Sequence, residues 1–341
     1  MIINKLLKPA NIALNKVQFT RKFGTAELDE LMKIIHDANW FKQEVETLRN
    51  KVQLQSDTIH SNQVQLLNTT LNDIFPSSNT PLDKVIPEGT AIEPNYHLLY
   101  HPSHLPETEL GKDGYDPDFA PPNPYIDRVW AKGKLEFNPQ NLIKVGQKID
   151  LKTKTHQITQ SSSSTKGPIF SVELLKEYTN SQGNCLNEYR TLSYFLNTNE
   201  VGRYGVKFDQ NTKIIKARDR SYDRMVEVNP NSLLLFRYSA LTFNAHKIHY
   251  DFNYATKEEG YRDLLVHGPL TTTLTLKLIS KYLQETHSSW QKLKSLDYKL
   301  IQPLYNNEQF NIYLKQTGED SLDVWINNCR GELAFKGSAK F

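Results

Sequence analysis

The sequence predicts an α+β protein in which two blocks of antiparallel strands flank a single well-wrapped helix. Three observations carry this. Apolar or branched residues alternate with polar ones over residues 130–137 and 148–154, the pattern of half-buried strands, and strand signals continue over 169–178 and 185–194. A second block follows over 296–302, 311–316, 322–326 and 333–341. Between the blocks, Leu270, Leu274 and Leu278 form one apolar row at helical spacing and Leu276, Ile279 and Leu283 a second, with Lys277, Lys281 and Glu285 on the remaining face.

A length of 341 residues suits two units of about 150 residues each. With 38% hydrophobic and 11% aromatic residues the chain has material for a globular core. Its two cysteines, Cys185 and Cys329, are too few for a disulfide framework or a cysteine-based zinc site, and neither cofactor nor metal is expected. No apolar run reaches the length of a membrane span. A net charge of +3 is too small for a nucleic-acid binder, yet it is compatible with an acidic protein partner.

Taken in order, residues 1–26 hold Lys5, Lys8, Lys16, Arg21 and Lys22 without an acidic residue, interleaved with apolar side chains. This reads as a mitochondrial transit peptide and predicts a matrix location. Residues 27–75 have helical spacing, with Leu28, Leu31, Met32 and Ile35 on one face and Val64, Leu67 and Leu71 on another; residues 49–62 between them read as a polar loop. Ten prolines over residues 75–124 exclude long regular elements and predict an extended, surface-wrapping segment. His97, His101 and His104 lie there, but Pro102 breaks the helix that would align them as metal ligands. Ser161–Ser164 read as an exposed tip, Asn180–Gly183 as a hairpin turn and Gly318–Asp320 as another. Residues 201–228, with Lys213, Lys216, Arg218, Arg220 and Arg224, read as a solvated linker. The expected division is a first unit over 27–200, that linker, and a second unit over 229–341.

Residues 237–283 concentrate the chemistry. Asn244, His246, His249 and Asp251 fall within one short connection, followed by His267-Gly268-Pro269 at the start of the helix. Proline is well tolerated there because its missing N–H is not needed in the first turn. A helix N-terminus has unpaired amides and a partial positive charge, and a glycine lets a substrate carbonyl approach them closely. That is the requirement for an oxyanion hole. His and Asp are also good metal ligands, but nothing nearby completes a coordination shell.

The run FNAHKIHYD followed by VHGPL resembles the R-specific enoyl hydratase (MaoC-like) branch of the hot-dog superfamily, with its D-x-N-P-[LIV]-H-x-D motif and [IV]-H-G-x-L helix start. Within that branch it is similar to the mitochondrial type 2 subgroup of 3-hydroxyacyl-thioester dehydratases. The resemblance covers residues 66–341 and is strong over 237–270. It implies a double hot-dog fold with one continuous antiparallel sheet around a central helix. The first unit would be degenerate, with residues 96–101 and 110–114 replacing its central helix, leaving one active site per chain. Carried over by position, His249 falls on the catalytic histidine, Gly268 on the helix-start amide, and Asn244 where the family usually has an aspartate. His246 takes the place of the motif's asparagine.

The implied reaction is dehydration of (R)-3-hydroxyacyl thioesters of acyl carrier protein to trans-2-enoyl thioesters, in mitochondrial type II fatty-acid synthesis. Histidine exchanges a proton near neutral pH, so His249 is the first candidate acid/base and His246 the second. Asn244 cannot transfer a proton and would hold the hydroxyl or water. Asp251 would orient His249 if the segment is extended, or cap elsewhere if it is a helical turn; His267 is a further supporting candidate. Other readings are a hydratase of CoA esters (mesaconyl-CoA-like) or a thioesterase on the same fold, and a non-catalytic subunit binding acyl chains or carrier protein. The chain would act as a monomer or homodimer.

Overall fold

The computed structural model describes residues 25–76, 82, 84–163, 167–196, 215–216 and 220–341. Nearly all of the transit-peptide segment and most of the linker lie outside the described residues. The chain begins with helices α1 (Thr25–Asp37) and α2 (Asn39–Asn50), strand β1 (Val52–Thr58) and helix α3 (Ser61–Leu71). After the proline-rich segment come β2 (Tyr125–Phe137), β3 (Lys148–Ser163), β4 (Gly167–Asn180) and β5 (Gly183–Leu196). The second half repeats the plan with β6 (Arg224–Val228), helices α4 (Ser232–Leu241) and α5 (Gly268–His287), then β7 (Ser295–Leu300), β8 (Phe310–Gly318), β9 (Ser321–Asn327) and β10 (Leu333–Lys340).

All the strands join one antiparallel sheet in the order β1-β3-β4-β5-β2-β7-β10-β9-β8-β6. Each half therefore has the same internal order, read outward from the β2–β7 seam, where Leu135 pairs with Leu296 and Gly133 with Tyr298. This is the double hot dog. Helix α5 lies in its core: Leu270, Leu274, Leu276, Ile279 and Leu283 are all fully buried. Polar residues survive there because their hydroxyls bond back to the preceding turn. Thr271, Thr272, Thr273 and Thr275 each donate to the carbonyl four residues earlier.

No matching helix exists in the first half among the described residues. Residues 93–99 fold over α5 instead, with Lys277 paired to Glu93 at 2.5 Å and the Asn95 amide donating to Thr273 Oγ1 and the Pro269 carbonyl. Helices α1 and α2 form a smaller core on the outer part of the first unit, with Met32, Ile35 and Phe41 against Tyr125, Phe170 and Tyr194.

Three expectations are corrected. The segment read as a polar loop contains β1, an edge strand whose Val52 and Leu54 face solvent, so its burial gives no signal. The segment read as linker contains β6, held by its register with β8 from Arg224–Leu314 to Val228–Phe310. Charged side chains suit an exposed edge and disguised it. Ser161–Ser163 pair with residues 167–169 and belong to β3, because backbone pairing with a neighbour overrides the weak strand preference of serine.

Candidate active site

Asn231 caps α4 by accepting from the Leu234 amide, and the helix ends in a turn at Phe243, whose φ is 51°. The loop that follows is clamped by the proline-rich segment. The Lys247 amide donates to the Asp113 carbonyl at 2.8 Å, and Lys247 Nζ reaches the Lys112 carbonyl at 2.8 Å. Gly114 has φ +81°, and a Cβ there would stand 2.1 Å from the Ala245 carbonyl oxygen. Gly114→Ala is therefore expected to destabilise the fold by roughly 1–3 kcal/mol, since it adds left-handed strain to a clash with backbone. Thermal unfolding measured beside turnover checks this; an unchanged melting temperature would mean that the clamp is not rigid.

His249 is buried, and its Nδ1 lies 2.8 Å from the Leu265 carbonyl oxygen. A carbonyl only accepts, so Nδ1 carries the proton and Nε2 presents a lone pair. Burial, with a smaller contribution from the nearby Arg128, lowers the His249 pKa to about 4, against the bond to Leu265 that raises it. The ring is thus neutral at pH 7. His267 stacks on it with centroids 3.7 Å apart and planes 21° apart. His267 Nε2 shares a hydrogen bond of 2.8 Å with Ser239 Oγ, while its Nδ1 is buried with no partner among the described residues. Burial first, then His249, holds the His267 pKa well below the usual histidine range.

Asn244 accepts from the His246 amide at 3.0 Å through its side-chain oxygen, and among the described residues its NH₂ has no hydrogen-bond partner. His246 points its Nε2 at Asp113, 3.5 Å away, and Asp113 is held by Arg128 at 2.9 Å. Burial, then Arg128, His249 and His267, keep His246 far below its ordinary pKa. The His249 loop is a helical turn, so Asp251 does not orient the imidazole; it accepts from the Tyr254 amide at 2.9 Å.

Asn244, His246, His249 and Gly268 line one cavity of about 1220 Å³. Asp251 and His267 do not line it; His267 stands behind His249. Gly268 is the first residue of α5, so its amide has no partner within the helix, and Pro269 beside it contributes no N–H. A Cβ on Gly268 would meet only ordinary contacts, Trp130 Cβ at 3.5 Å and Leu300 at 3.6 Å. The fold itself does not demand glycine here. Its missing side chain instead leaves the amide approachable from the cavity.

Sequence reasoning missed Arg128, Tyr115, Trp130 and Ser239. Arg128 stacks its guanidinium 3.6 Å over the Tyr115 ring, and with Asp113 builds the wall behind His246. These residues come from the first unit and the proline-rich segment, far from the site motif in sequence. Ser239, on α4, lies before the loop and has no spacing that marks it.

A double hot dog in which a neutral histidine and a helix-start amide line one cavity has the make-up of a MaoC-like hydro-lyase. The model of the family "hydroxyacyl-thioester dehydratase type 2" matches residues 95–306, more than half of the chain. The chain belongs to that family, and it is an enzyme of the hydro-lyase type. It is 28% identical over 301 residues to the mitochondrial hydroxyacyl-thioester dehydratase type 2 of Schizosaccharomyces pombe, covering 79% of this chain and 91% of that protein. It is also 28% identical over 267 residues to a mesaconyl-C(4)-CoA hydratase of Chloroflexus aurantiacus, covering 78% and 87%. The fold is that of a MaoC-like dehydratase from Phytophthora capsici, with a TM-score of 0.59 at 15% identity over 87% of this chain and 98% of that one.

Proposed function

We propose that the chain dehydrates (R)-3-hydroxyacyl thioesters of acyl carrier protein to trans-2-enoyl thioesters, in mitochondrial type II fatty-acid synthesis. The observation that carries this is the neutral His249, with Nε2 unprotonated, on the same cavity as the Gly268 amide. His249 Nε2 takes the α-proton, and the electrons move into the thioester carbonyl as the oxygen meets the Gly268 amide. The enolate then expels the 3-hydroxyl, which leaves as water with the proton that His249 returns. One residue thus serves as base and acid, consistent with Asn244, which moves no proton, at the family's aspartate position. The Asn244 NH₂ positions the departing hydroxyl. In this reading the second unit carries the reaction and the first supplies the acyl end of the cavity.

The Chloroflexus relative favours a second reading in which the carrier is CoA. Purified protein incubated with trans-2-enoyl thioesters of both carriers, in several chain lengths, separates the two by loss of enoyl absorbance. Turnover of carrier-protein thioesters well above CoA esters is the expected result. Release of free carrier would mark a thioesterase, and no turnover of either would mark a non-catalytic binding subunit. Residues 1–30 fused to a reporter test the matrix location; a cytosolic reporter would overturn it.

A further inference from the structure

The bond from His249 Nδ1 to the Leu265 carbonyl sets the tautomer of the ring, but a single hydrogen bond leaves a ring free to turn about the bond axis. Such a turn would swing Nε2 across the cavity. Two rings bear on His249: His246 stands edge-on with centroids 5.4 Å apart, and His267 is stacked with centroids 3.7 Å apart and planes 21° apart. The stacked face is the closer contact, so the plane of His267 passes to His249.

His267 is in turn held by α4. Its carbonyl accepts from the Thr271 amide at 2.9 Å and the Thr271 hydroxyl at 3.0 Å, which fixes the backbone at the start of α5 and leaves the ring its own torsions. Two consecutive residues of α4 remove that freedom. Tyr238 meets the ring at 60° with centroids 5.2 Å apart, and its hydroxyl is tied to Thr273 Oγ1 at 3.0 Å, further along α5. Ser239 Oγ lies 2.8 Å from His267 Nε2. Burial keeps His267 neutral, so only one ring nitrogen carries a proton. Nδ1 has no partner among the described residues, and a buried N–H without an acceptor is the rarer of the two orphans. The proton is thus on Nε2, donated to Ser239. The Ser239 carbonyl also accepts from the Asn244 amide at 2.8 Å. One residue of α4 thereby fixes the start of the loop that bears Asn244 and, through His267, the plane of His249.

We infer that Ser239 is a positioning residue for the dehydration, acting through His267 to aim His249 Nε2. The inference rests on the hydro-lyase reading with His249 as proton carrier and adds a residue to it. Neither Ser239 nor His267 takes or gives a proton in the bond changes.

The test is a double-mutant cycle on Ser239→Ala and His267→Phe, the latter keeping a stacked ring without the hydrogen bond, with Ser239→Thr as the conservative variant. Hydration of trans-2-hexenoyl thioesters of carrier protein and of CoA supplies kcat and KM, and 15N spectra of the histidine rings supply the tautomers. Ser239→Ala is expected to lower kcat on the order of 10- to 100-fold with KM unchanged, the pattern of a misaimed group that acts in the transition state. In the His267→Phe background it should cost nothing further. Ser239→Thr should recover most of the loss, and the wild-type His267 proton should be found on Nε2; these two measurements need no His267 variant. A raised KM at unchanged kcat, or losses that multiply in the double variant, would mean that Ser239, which lines the cavity, touches the substrate directly, and overturns the inference. An unchanged kcat in Ser239→Ala, no recovery in a folded Ser239→Thr, or a proton on Nδ1 of wild-type His267 overturns it too. Each of these leaves the hydro-lyase reading standing. Wild type inactive on both thioesters overturns that reading and the inference with it.

Discussion

His249→Ala is expected to lower kcat for dehydration by ~10²–10⁴-fold, the range over which a positioned acid/base contributes. In the proposed reaction the side chain is the proton carrier, and the neighbouring imidazoles are placed otherwise: His267 is stacked behind it and His246 faces Asp113. Removing the ring also leaves the Leu265 carbonyl without its donor and the His267 face without its stack, which costs about 1–3 kcal/mol for the buried carbonyl alone. His249→Gln, whose amide can still donate to that carbonyl, separates the two effects. Both variants should be inactive, with the glutamine form closer to wild type in thermal stability. The pH dependence supplies an independent check. Because burial depresses the His249 pKa, the base form persists as pH falls, and kcat/KM of wild type should show no inflection near 6.5. Turnover within tenfold of wild type in a folded His249→Ala protein would mean that another group carries the proton.

On the proposed mechanism Asn244→Ala should cost ~10²-fold in kcat, because the hydroxyl would lose the donor that holds it in line for departure. Asn244→Asp discriminates more sharply. Aspartate can keep the bond to the His246 amide with one oxygen, so the loop should hold its shape, while the other oxygen replaces an NH₂ donor with an anion. A negative charge beside the imidazoles favours their protonated forms, so the His249 pKa rises toward neutrality and the acidic limb of kcat/KM moves upward. Retained or increased activity with a shifted limb would show that the site still works with an aspartate beside the histidine. Lost activity with the same shift would show a site tuned to a neutral amide. A pH profile identical to wild type would place Asn244 away from His249 and remove it from the mechanism.

Local pattern was enough for much of this protein. The hairpins around residues 180–183 and 318–320, the inner strands and the start of α5 at Gly268 follow from alternation, turn chemistry and helical spacing, each set by residues a few positions apart. The loop from Asn244 to Asp251 announced itself through residue type, since histidines crowded before a glycine-opened helix have few other uses. Only the tertiary structure decided the rest. Strands β1 and β6 exist because β3 and β8 offer them hydrogen bonds, and an edge strand with polar side chains needs no pattern of its own. Asp251 caps a turn rather than orienting His249, because the loop coils instead of extending. Arg128, Trp130 and Lys176 reach the cavity from strands that meet the site only when the sheet closes around α5. Burial then lowers the pKa of His249 far enough to keep the ring neutral, and burial belongs to the assembled fold, not to any stretch of sequence.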